Sequence, residues 1–368
     1  MMNRMIVSNL VHRPLRSVIS MVAIAVEVSL ILLIVGLSIG ILNDSASRQL
    51  GVGADLMVMP PGSSWFMGLS GAPAPMGITD KVAALPHVKA VAPVVAQLNT
   101  AGALEVVYGI DLTSFERMGG PFRYLSGGPF QGPDDVLIDD YFADLKKVHV
   151  GDHIEIFNQA FRIAGIVEHG KGARKFVPIT TLQELTGSKN KASVFYVKAE
   201  DSKDIATIKD EILAIPGMQQ YHVRSMAEYL SLMTVSNTPG LSTFINIVIG
   251  VAVVIGFIVI FQAMYTAVME RTREIGILKS MGASKLYIVN VILRETILLA
   301  LAGILLGTAT SFLASKGLVA HFPTTRIQIT APWVLRATLI AIVGAILGAI
   351  YPAFRAAQKD PIDALAYE

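Results

Sequence analysis

The chain has 368 residues, of which 53% are hydrophobic and 16% are charged, and its mean hydropathy is +0.57. A soluble domain carries about 25% charged residues, so part of this chain is expected to have lipid as its solvent. The sequence has no cysteine, which excludes disulfides, thiolate zinc sites and a cysteine nucleophile, and its net charge of +2 without a basic stripe predicts no nucleic-acid partner.

Four apolar segments are long enough to cross a membrane as helices, which takes about 20 residues. They are Val18–Leu42, Phe244–Val268, Thr296–Ser315 and Ala337–Phe354. The apolar part of the first segment is too long for a signal peptide, so a retained anchor is predicted. We therefore expect an α-helical membrane protein with four transmembrane helices.

Glu27 interrupts the first segment, nine residues after Val18, at about 13 Å along a helix. If the span begins at Val18, this carboxyl lies near mid-membrane and is a functional candidate, because ionisable groups there are costly. If the helix starts well inside the cytoplasm, Glu27 is an interfacial residue. If Glu27 is buried, Arg294 is the nearest plausible partner; without that partner the carboxyl is expected to be protonated, because burial disfavours its charged form. Both interpretations stay open.

Basic residues set the expected orientation, because short cytoplasmic loops are enriched in Lys and Arg. The N-terminal tail, the loop between spans two and three and the C-terminal tail hold ten: Arg4, Arg13, Arg16, Arg271, Arg273, Lys279, Lys285, Arg294, Arg355 and Lys359. The short loop between spans three and four holds Lys316, Arg326 and Arg336. We expect both termini in the cytoplasm and residues 43–243 on the outer side of the membrane.

Residues 43–243 carry 17 Lys and Arg against 21 Asp and Glu, which is the balance of a soluble domain. Helix Ile78–Leu85, strand Val88–Val95, strand Val194–Val197 and helix Ile205–Ile215 are predicted in turn. Two further strands, Ile154–Phe157 and Phe161–Ile166, alternate about Asn158-Gln159 and predict a hairpin. The segment is expected to be a mixed α/β domain inserted between helices 1 and 2.

Two features of this domain suggest surface chemistry. Trp65, Phe66, Met67 and Leu69 lie in a stretch rich in Gly, Pro and Ser, and are candidates for contact with lipid, substrate or a partner. The alternative is a loop that folds back on the domain. His149, His153 and Glu155 have strand spacing, but two histidines without a third ligand are typical of ordinary surface positions, and no metal site is predicted.

The stretch ERTREIGILKSMGAS, Glu270–Ser284, joins the second and third spans. Ile275, Leu278 and Met281 recur at helical spacing, which predicts an amphipathic helix at the inner membrane surface. Gly282 is expected to end it in a left-handed cap. The result is a helical elbow that presents charge to the cytoplasm, although spacing alone is equally compatible with a plain positively charged loop.

Pairs of glycines four residues apart occur in three spans: Gly36 and Gly40, Gly303 and Gly307, and Gly344 and Gly348. Small residues at this spacing let helices approach closely in lipid. Some pairs must serve packing within one chain.

Several motifs together resemble a known family, the FtsX-like and MacB-like permeases. The elbow resembles the signature RxREIGxLxAxGAS, and the tail YPAFRAAQKDPIDALAYE resembles PARRAAxxDPxxALRYE, with Phe354 and Ala366 where the family often has Arg. GADLMVMPPG and GDHIEIFNQAFRIAGIVEHG resemble parts of the MacB-like periplasmic core domain.

The resemblance implies the permease half of a type VII ABC transporter. Its domains would be residues 1–42 with helix 1, residues 43–243 outside, and residues 244–368 with helices 2–4, the coupling helix 270–284 and the tail. It would pair with a second copy or a homologous permease, work with two cytosolic ATPases and, in some members, with a periplasmic adaptor or envelope protein. By this analogy Gly36 and Gly40 are the dimer contact.

The sequence contains no GxxxxGK[ST] motif, whereas MacB-type members carry their ATPase in the same chain. No enzyme activity and no bound cofactor are therefore expected here, and ATP and Mg²⁺ are expected on a separate ATPase. Residues expected to couple to it are Glu270, Arg271, Arg273, Glu274, Ile275, Leu278, Lys279 and Gly282.

Two functions remain open. The first is ATP-driven export or extraction of a hydrophobic, peptide or lipoprotein-like substrate. The second is regulation without transport, in which the outer domain controls a partner such as a cell-wall hydrolase. The nature of the ligand of the outer domain would discriminate between them.

Overall fold

A computed structural model describes residues 14–64, 69–70, 72–99, 105–238, 240–321 and 326–358. Trp65, Phe66, Met67 and the side chain of Leu69 lie outside the described part, so the expectation for this loop stays a prediction. The chain divides into two compact units. We call residues 1–40, 239–320 and 327–368 the helical unit, and residues 41–238 and 321–326 the α/β unit.

Eleven helices are found in the described residues. They are α1 (Pro14–Val52), α2 (Ile78–Ala83), α3 (Leu112–Gly119), α4 (Asp140–Lys146), α5 (Ile179–Leu185), α6 (Ile205–Ala214), α7 (Met226–Leu232), α8 (Leu241–Glu270), α9 (Thr272–Ser280), α10 (Lys285–His321) and α11 (Ala331–Gln358). A 3₁₀ turn covers Ser202–Asp204.

The strands lie in the α/β unit. They are β1 (Leu56–Met59), β2 (Ser63–Ser64), β3 (Leu69–Ser70), β4 (Ala74–Pro75), β5 (Val88–Asn99), β6 (Glu105–Ile110), β7 (Tyr124–Gly127), β8 (Asp135–Asp139), β9 (His153–Ile156), β10 (Gln159–Val167), β11 (Lys175–Pro178), β12 (Lys191–Ala192), β13 (Val194–Ala199) and β14 (His222–Ser225).

Four helices, α1, α8, α10 and α11, are long and apolar enough to cross a membrane. Each extends beyond the predicted span, because a helix continues through polar residues that a hydropathy window excludes. The largest differences are in α10, which was expected to begin at Thr296 and begins at Lys285, and in α1, which was expected to end at Leu42 and runs on to Val52. Residues 43–50 contain neither Gly nor Pro, and Gln49 and Val52 are buried in the α/β unit.

Glycines pack α1 closely against α10. A Cβ built on Gly303 would lie 2.7 Å from the Cβ of Ile24, and one on Gly307 would lie 2.6 Å from the carbonyl oxygen of Ala25. The Ser29 hydroxyl donates to the Gly307 carbonyl at 2.9 Å. The small-residue spacing at this pair is therefore used within one chain.

Small residues also pack α11, which lies mainly against α8. A Cβ on Gly348 would approach the Phe257 carbonyl oxygen to 3.0 Å. Alanines at every fourth position form a fully buried ridge on α11, each with no exposed surface: Ala337, Ala341, Ala345, Ala349 and Ala353.

Gly36 also makes an intrachain contact. Its carbonyl accepts the N–H of Gln328 at 2.9 Å, and a Cβ would lie 3.1 Å from the Ile327 side chain. Gly40 is buried as well. The contact of Gly36 and Gly40 with a second copy stays a prediction, and the intrachain contact at Gly36 weighs against it.

The α/β unit is built on a ten-stranded mixed sheet with the order β14-β1-β13-β5-β6-β11-β8-β10-β7, and β9 pairs with β10. The pairs β10–β8 and β11–β6 are parallel, and the other pairs in this sheet are antiparallel. The predicted hairpin is confirmed as β9 and β10. Its turn residues with positive φ are Phe157 and Asn158, one position earlier than expected.

Both faces of the sheet are covered, because successive side chains of a strand point to opposite faces. In β1, Leu56 and Val58 pack with Ile208 of α6, whereas Met57 packs in the same cluster as Tyr229 of α7. A third cluster forms where β8 and β10 meet α5. A strand buried on both faces has a continuous apolar sequence, as Leu-Met-Val-Met in β1 does.

Candidate functional site

The elbow between α8 and α10 is the first candidate site. After α8 ends at Glu270, α9 begins at Thr272, so Arg271 alone separates the two helices. Gly282 has the left-handed backbone that the sequence predicts, with φ +94°. The Ser284 hydroxyl then accepts the N–H of Tyr287 at 3.2 Å and caps α10. The C-terminal end of the elbow is therefore fixed by local chemistry.

The elbow helix has one buried face and one exposed face. Thr272, Ile275 and Gly276 are buried, whereas Arg273 and Glu274 are exposed. Glu270 is exposed as well.

Two apolar side chains lie among these charges. Ile277 is 43% exposed, and Met281 is 72% exposed although it was expected on the buried face. Met281 follows the last helical residue, Ser280, so it leaves the helical periodicity. The exposed face thus combines both charge signs with apolar side chains, which suits a protein partner.

Arg271 forms a buried ion pair with Glu295 of α10. Its Nη1 donates to Oε2 of Glu295 at 3.1 Å, and the side chains are 12% and 5% exposed. Removing one member of such a pair leaves an uncompensated buried charge. The pair therefore joins the start of α9 to α10, and the guanidinium points into the chain.

Lys279 also bonds within the chain. Its Nζ donates to the carbonyl oxygen of Ala357, near the end of α11, at 3.0 Å. Of the five charged residues expected to face a partner, Glu270, Arg273 and Glu274 are exposed. Arg271 and Lys279 instead tie the elbow to α10 and α11.

A cavity of about 290 Å³ lies between α8, α9 and α10. Met264 and Val268 of α8 line it together with Ile275 of α9 and Ile292 of α10. The Arg271–Glu295 pair contributes polar groups to its wall, together with Glu274 and Tyr287. The cavity thus leaves room beneath the elbow for one of these apolar side chains to move.

Glu27 is the second candidate, and it lies on α1, 13 residues after Pro14. It is 5% exposed, and its carboxyl packs against Gly256 of α8. Of the two alternatives for a buried Glu27, no ion pair with Arg294 is found among the described residues, and Arg294 Nε instead donates to Oδ1 of Asn290 at 3.0 Å. The reason is helical geometry: Asn290 is four residues before Arg294 on the same face.

The C-terminal end of α1 is anchored in the α/β unit by hydrogen bonds. Gln49 is buried, and its Nε2 donates to the Tyr108 hydroxyl at 2.9 Å, while its Oε1 accepts the Tyr196 hydroxyl at 2.7 Å. The Gly172 N–H donates to the Arg48 carbonyl at 2.7 Å. These bonds tie the last turns of α1 to strands β6 and β13.

Backbone contacts hold the same end. A Cβ on Gly51 would lie 1.8 Å from the carbonyl oxygen of Gly170, and one on Gly53 would lie 2.4 Å from the Cα of Gly119. No other side chain fits at either position without a backbone shift. The two glycines therefore allow the direct contact of α1 with the sheet connections.

A charged cluster continues this anchoring. Arg174 donates to Asp44 of α1 at 3.0 Å and to Asp139 of β8 at 3.1 Å, and Arg48 pairs with Asp44 at 2.6 Å. Asp139 also caps α4 by accepting the Phe142 N–H at 2.8 Å. Burial raises the pKa of Asp139 to about 6, against the opposing charge of Arg174.

Replacement of Asp139 by Asn is expected to change the pH dependence of folding. The folded pKa of about 6 lies above the ordinary value of 3.8, so the native state holds the proton more tightly than the unfolded state. Stability from this group is full below about pH 4 and falls as pH rises to about 6, by up to about 3 kcal/mol.

Asn keeps the capping oxygen and removes this titration. Urea unfolding of the full chain in detergent, followed by the near-ultraviolet circular dichroism of the buried tyrosines, measures the slope between pH 4 and 6. An equal slope in both proteins would contradict the assignment.

The roles of Glu295 and Gln49 were not predicted from the sequence. Glu295 has a signal in the sequence, because an acid at the entrance of an apolar helix needs a partner. Gln49 has none, since its partners are 59 and 147 residues away. His149 lies beside Asp152, and no group of three potential metal ligands was found in the described residues.

Two protein families match the chain. The MacB-like periplasmic core domain matches residues 17–215, and the FtsX-like permease C-terminal domain matches residues 246–361.

Among relatives, the chain is 29% identical over 245 residues to the macrolide export ATP-binding/permease protein MacB of Bdellovibrio bacteriovorus, which covers 61% of this chain and 37% of that protein. It is 29% identical over 237 residues to the uncharacterized ABC transporter permease YknZ of Bacillus subtilis, which covers 61% of this chain and 58% of that protein.

A solved structure, the periplasmic region of MacB from Actinobacillus actinomycetemcomitans, is 16% identical with a TM-score of 0.39, and the match covers 52% of this chain and 97% of that one. The chain spans little more than a third of the length of the MacB relative.

Proposed function

Because the chain belongs to the FtsX/MacB-like permease family, we propose that it is the permease subunit of a type VII ABC transporter. In this role it passes conformational change from an ABC ATPase to its α/β unit. The exported or extracted substrate would be hydrophobic, peptide-like or lipoprotein-like.

The elbow is the observation that carries this proposal. The short helix α9 exposes Arg273 and Glu274. It is bonded to α10 through Arg271 and to α11 through Lys279, so it is suited to transmit force from a bound partner. Force applied to the exposed face reaches two apolar helices through these two contacts. A positively charged loop without a docking role needs neither contact.

The ATPase is proposed to be a partner that these 368 residues do not include, since they lack a phosphate-binding loop. Two copies would serve a pair of permeases. ATP and Mg²⁺ would be held by that partner, and this chain would bind neither.

Helix α1 supports the route to the α/β unit. It is one unbroken helix of 39 residues, and its last turns are bonded into the α/β unit through Gln49 and Asp44. A rotation or displacement of α1 would therefore be delivered directly to strands β6 and β13, and to β8 through Arg174. We place the α/β unit outside the inner membrane and both termini in the cytoplasm.

Reversal of both exposed charges tests the docking. The double variant Arg273→Glu, Glu274→Arg keeps the net charge and is expected to reduce substrate- or permease-stimulated ATP hydrolysis at least about tenfold, the effect of roughly 1.4 kcal/mol of lost contact energy. Insertion and folding should be normal, because both side chains are exposed.

A matched control is the reversal Lys189→Glu, Glu184→Lys, an exposed pair 3.7 Å apart in the α/β unit. ATP hydrolysis by the purified complex with its ATPase is measured for both. Full stimulation in the elbow variant would refute docking at this face. No described feature favours the purely regulatory alternative over transport.

A further inference from the structure

Two carboxyls are deeply buried in the helical unit, and their surroundings differ. Glu27 of α1 is 5% exposed and Glu295 of α10 is 3% exposed. Glu295 pairs with Arg271 at 3.1 Å. In the described part of the chain, Glu27 has no ion pair, and its buried Oε1 has no hydrogen-bond partner. The two carboxyls therefore differ in whether a cation lies beside them.

The contact surface of Glu27 is apolar. A Cβ built on Gly256 would lie 2.1 Å from Oε2 and 2.8 Å from Cδ of Glu27, so the carboxyl occupies the space that a side chain at position 256 would take. α8 carries no charged residue before Glu270, which is 14 positions further along. On α1 itself the neighbours Ile24, Val28 and Ile31 are apolar and buried.

Charged groups on the other helix packed against this part of α1 have partners elsewhere. On α10, Arg294 bonds to Asn290 and Glu295 pairs with Arg271. No described Lys, Arg or His lies within ion-pair distance of Glu27. An ionised carboxylate at this place would lose its hydration without a cation or a donor to replace it, which costs several kcal/mol.

From this geometry we propose that Glu27 is a proton-binding site, which holds its proton while the carboxyl packs on Gly256. Loss of the proton requires the α1–α8 contact at Gly256 to open and admit water. Proton binding and the packing of these two helices are thus one equilibrium, with the neutral carboxyl favouring contact. A single carboxyl with no further oxygen ligands does not form a metal-cation site.

Dicyclohexylcarbodiimide is the probe, because it needs both an apolar site and a protonated carboxyl. The acid proton passes to one carbodiimide nitrogen while the carboxyl oxygen bonds to the central carbon. The acyl group then moves from oxygen to nitrogen and gives a stable N-acylurea. Nothing leaves, so the peptide gains the mass of the whole reagent.

The experiment labels the full chain in native membrane vesicles and quantifies both peptides by mass spectrometry. Labelling at Glu27 is expected to exceed that at Glu295 at least about tenfold, because Arg271 is bonded to the Glu295 carboxyl and has to be displaced before the reagent can react there, a cost for which about 1.4 kcal/mol is sufficient. Glu27→Gln should remove the adduct. Equal labelling of the two peptides, or an unreactive Glu27 in folded protein at pH 6, would overturn the proposal.

A glycine pair on α8 tests the link to helix packing. Gly256→Ala places a methyl group where the carboxyl lies, and labelling of Glu27 is expected to fall several-fold as the group is displaced toward water. Gly250→Ala is the matched control, since nothing lies within 4 Å of its built Cβ. Unchanged labelling in Gly256→Ala would overturn the link. If that variant does not fold, the wild-type comparison of Glu27 with Glu295 decides alone.

Discussion

Replacement of Arg271 by Ala is expected to destabilise the elbow by about 3–5 kcal/mol, the cost of leaving one member of a buried ion pair without its partner. Glu295 would stay buried on α10 with its charge uncompensated. The elbow helix α9 should then detach from α10. Hydrogen exchange of the 272–280 backbone, measured by mass spectrometry, reports this as lost protection.

The chain supplies its own control two residues further. Arg273→Ala removes the same side chain from an exposed position and should change stability by less than about 0.5 kcal/mol. A second control replaces both members of the pair, as Arg271→Met with Glu295→Leu. Apolar replacement of a whole buried pair is often neutral, so protection should return to within about 1 kcal/mol. Similar effects of the two arginine variants would contradict the assignment.

Replacement of Gly51 by Ala is expected to cost at least about 3 kcal/mol, the upper range for overpacking, because backbone rather than a flexible side chain must yield. The added Cβ would lie 1.8 Å from the Gly170 carbonyl oxygen. The last turn of α1 would have to leave the α/β unit, with loss of the bonds from Gln49 to Tyr108 and Tyr196.

Gly77→Ala provides the comparison. Gly77 has φ −60°, and nothing lies within 4 Å of its built Cβ, so this change should be neutral or slightly stabilising. Thermal unfolding of the α/β unit within the full chain, followed by the circular dichroism of the buried tyrosines, measures both variants. A transition unaltered by Gly51→Ala would show that α1 is not held at Gly170.

The sequence predicts well the features that depend on local chemistry. Four apolar helices, the β9–β10 hairpin and the left-handed Gly282 each follow from a run of residues that lie next to each other. The end of α1 was missed because hydropathy measures lipid compatibility, and residues 43–52 are helical through contacts with the α/β unit. The sequence has no helix-breaking residue at Leu42; there the residues only change from apolar to polar.

Long-range partners form the second class of error. Arg271 looks like a surface charge beside Arg273, and only the position of α10 turns it toward Glu295. In the same way Arg294 was the nearest plausible cation for Glu27 in the sequence, whereas the observed neighbour is a glycine. Choosing among such partners requires knowing which helices touch and at what rotation, and no single hydrophobic pattern contains that information.

The alanine ridge of α11 bears on how the helical unit can move. Alanine has no side-chain rotamers to lose, so ordering this face costs no side-chain entropy. For the same reason, the ridge has no rotamers of its own that must change if α11 shifts along α8, and such packing favours shear over hinge bending. The Lys279 bond to Ala357 connects the C-terminal end of α11 to the elbow. Enlarging one ridge residue, for example Ala345→Leu, would add a bulky side chain that hinders the movement of α11 along α8.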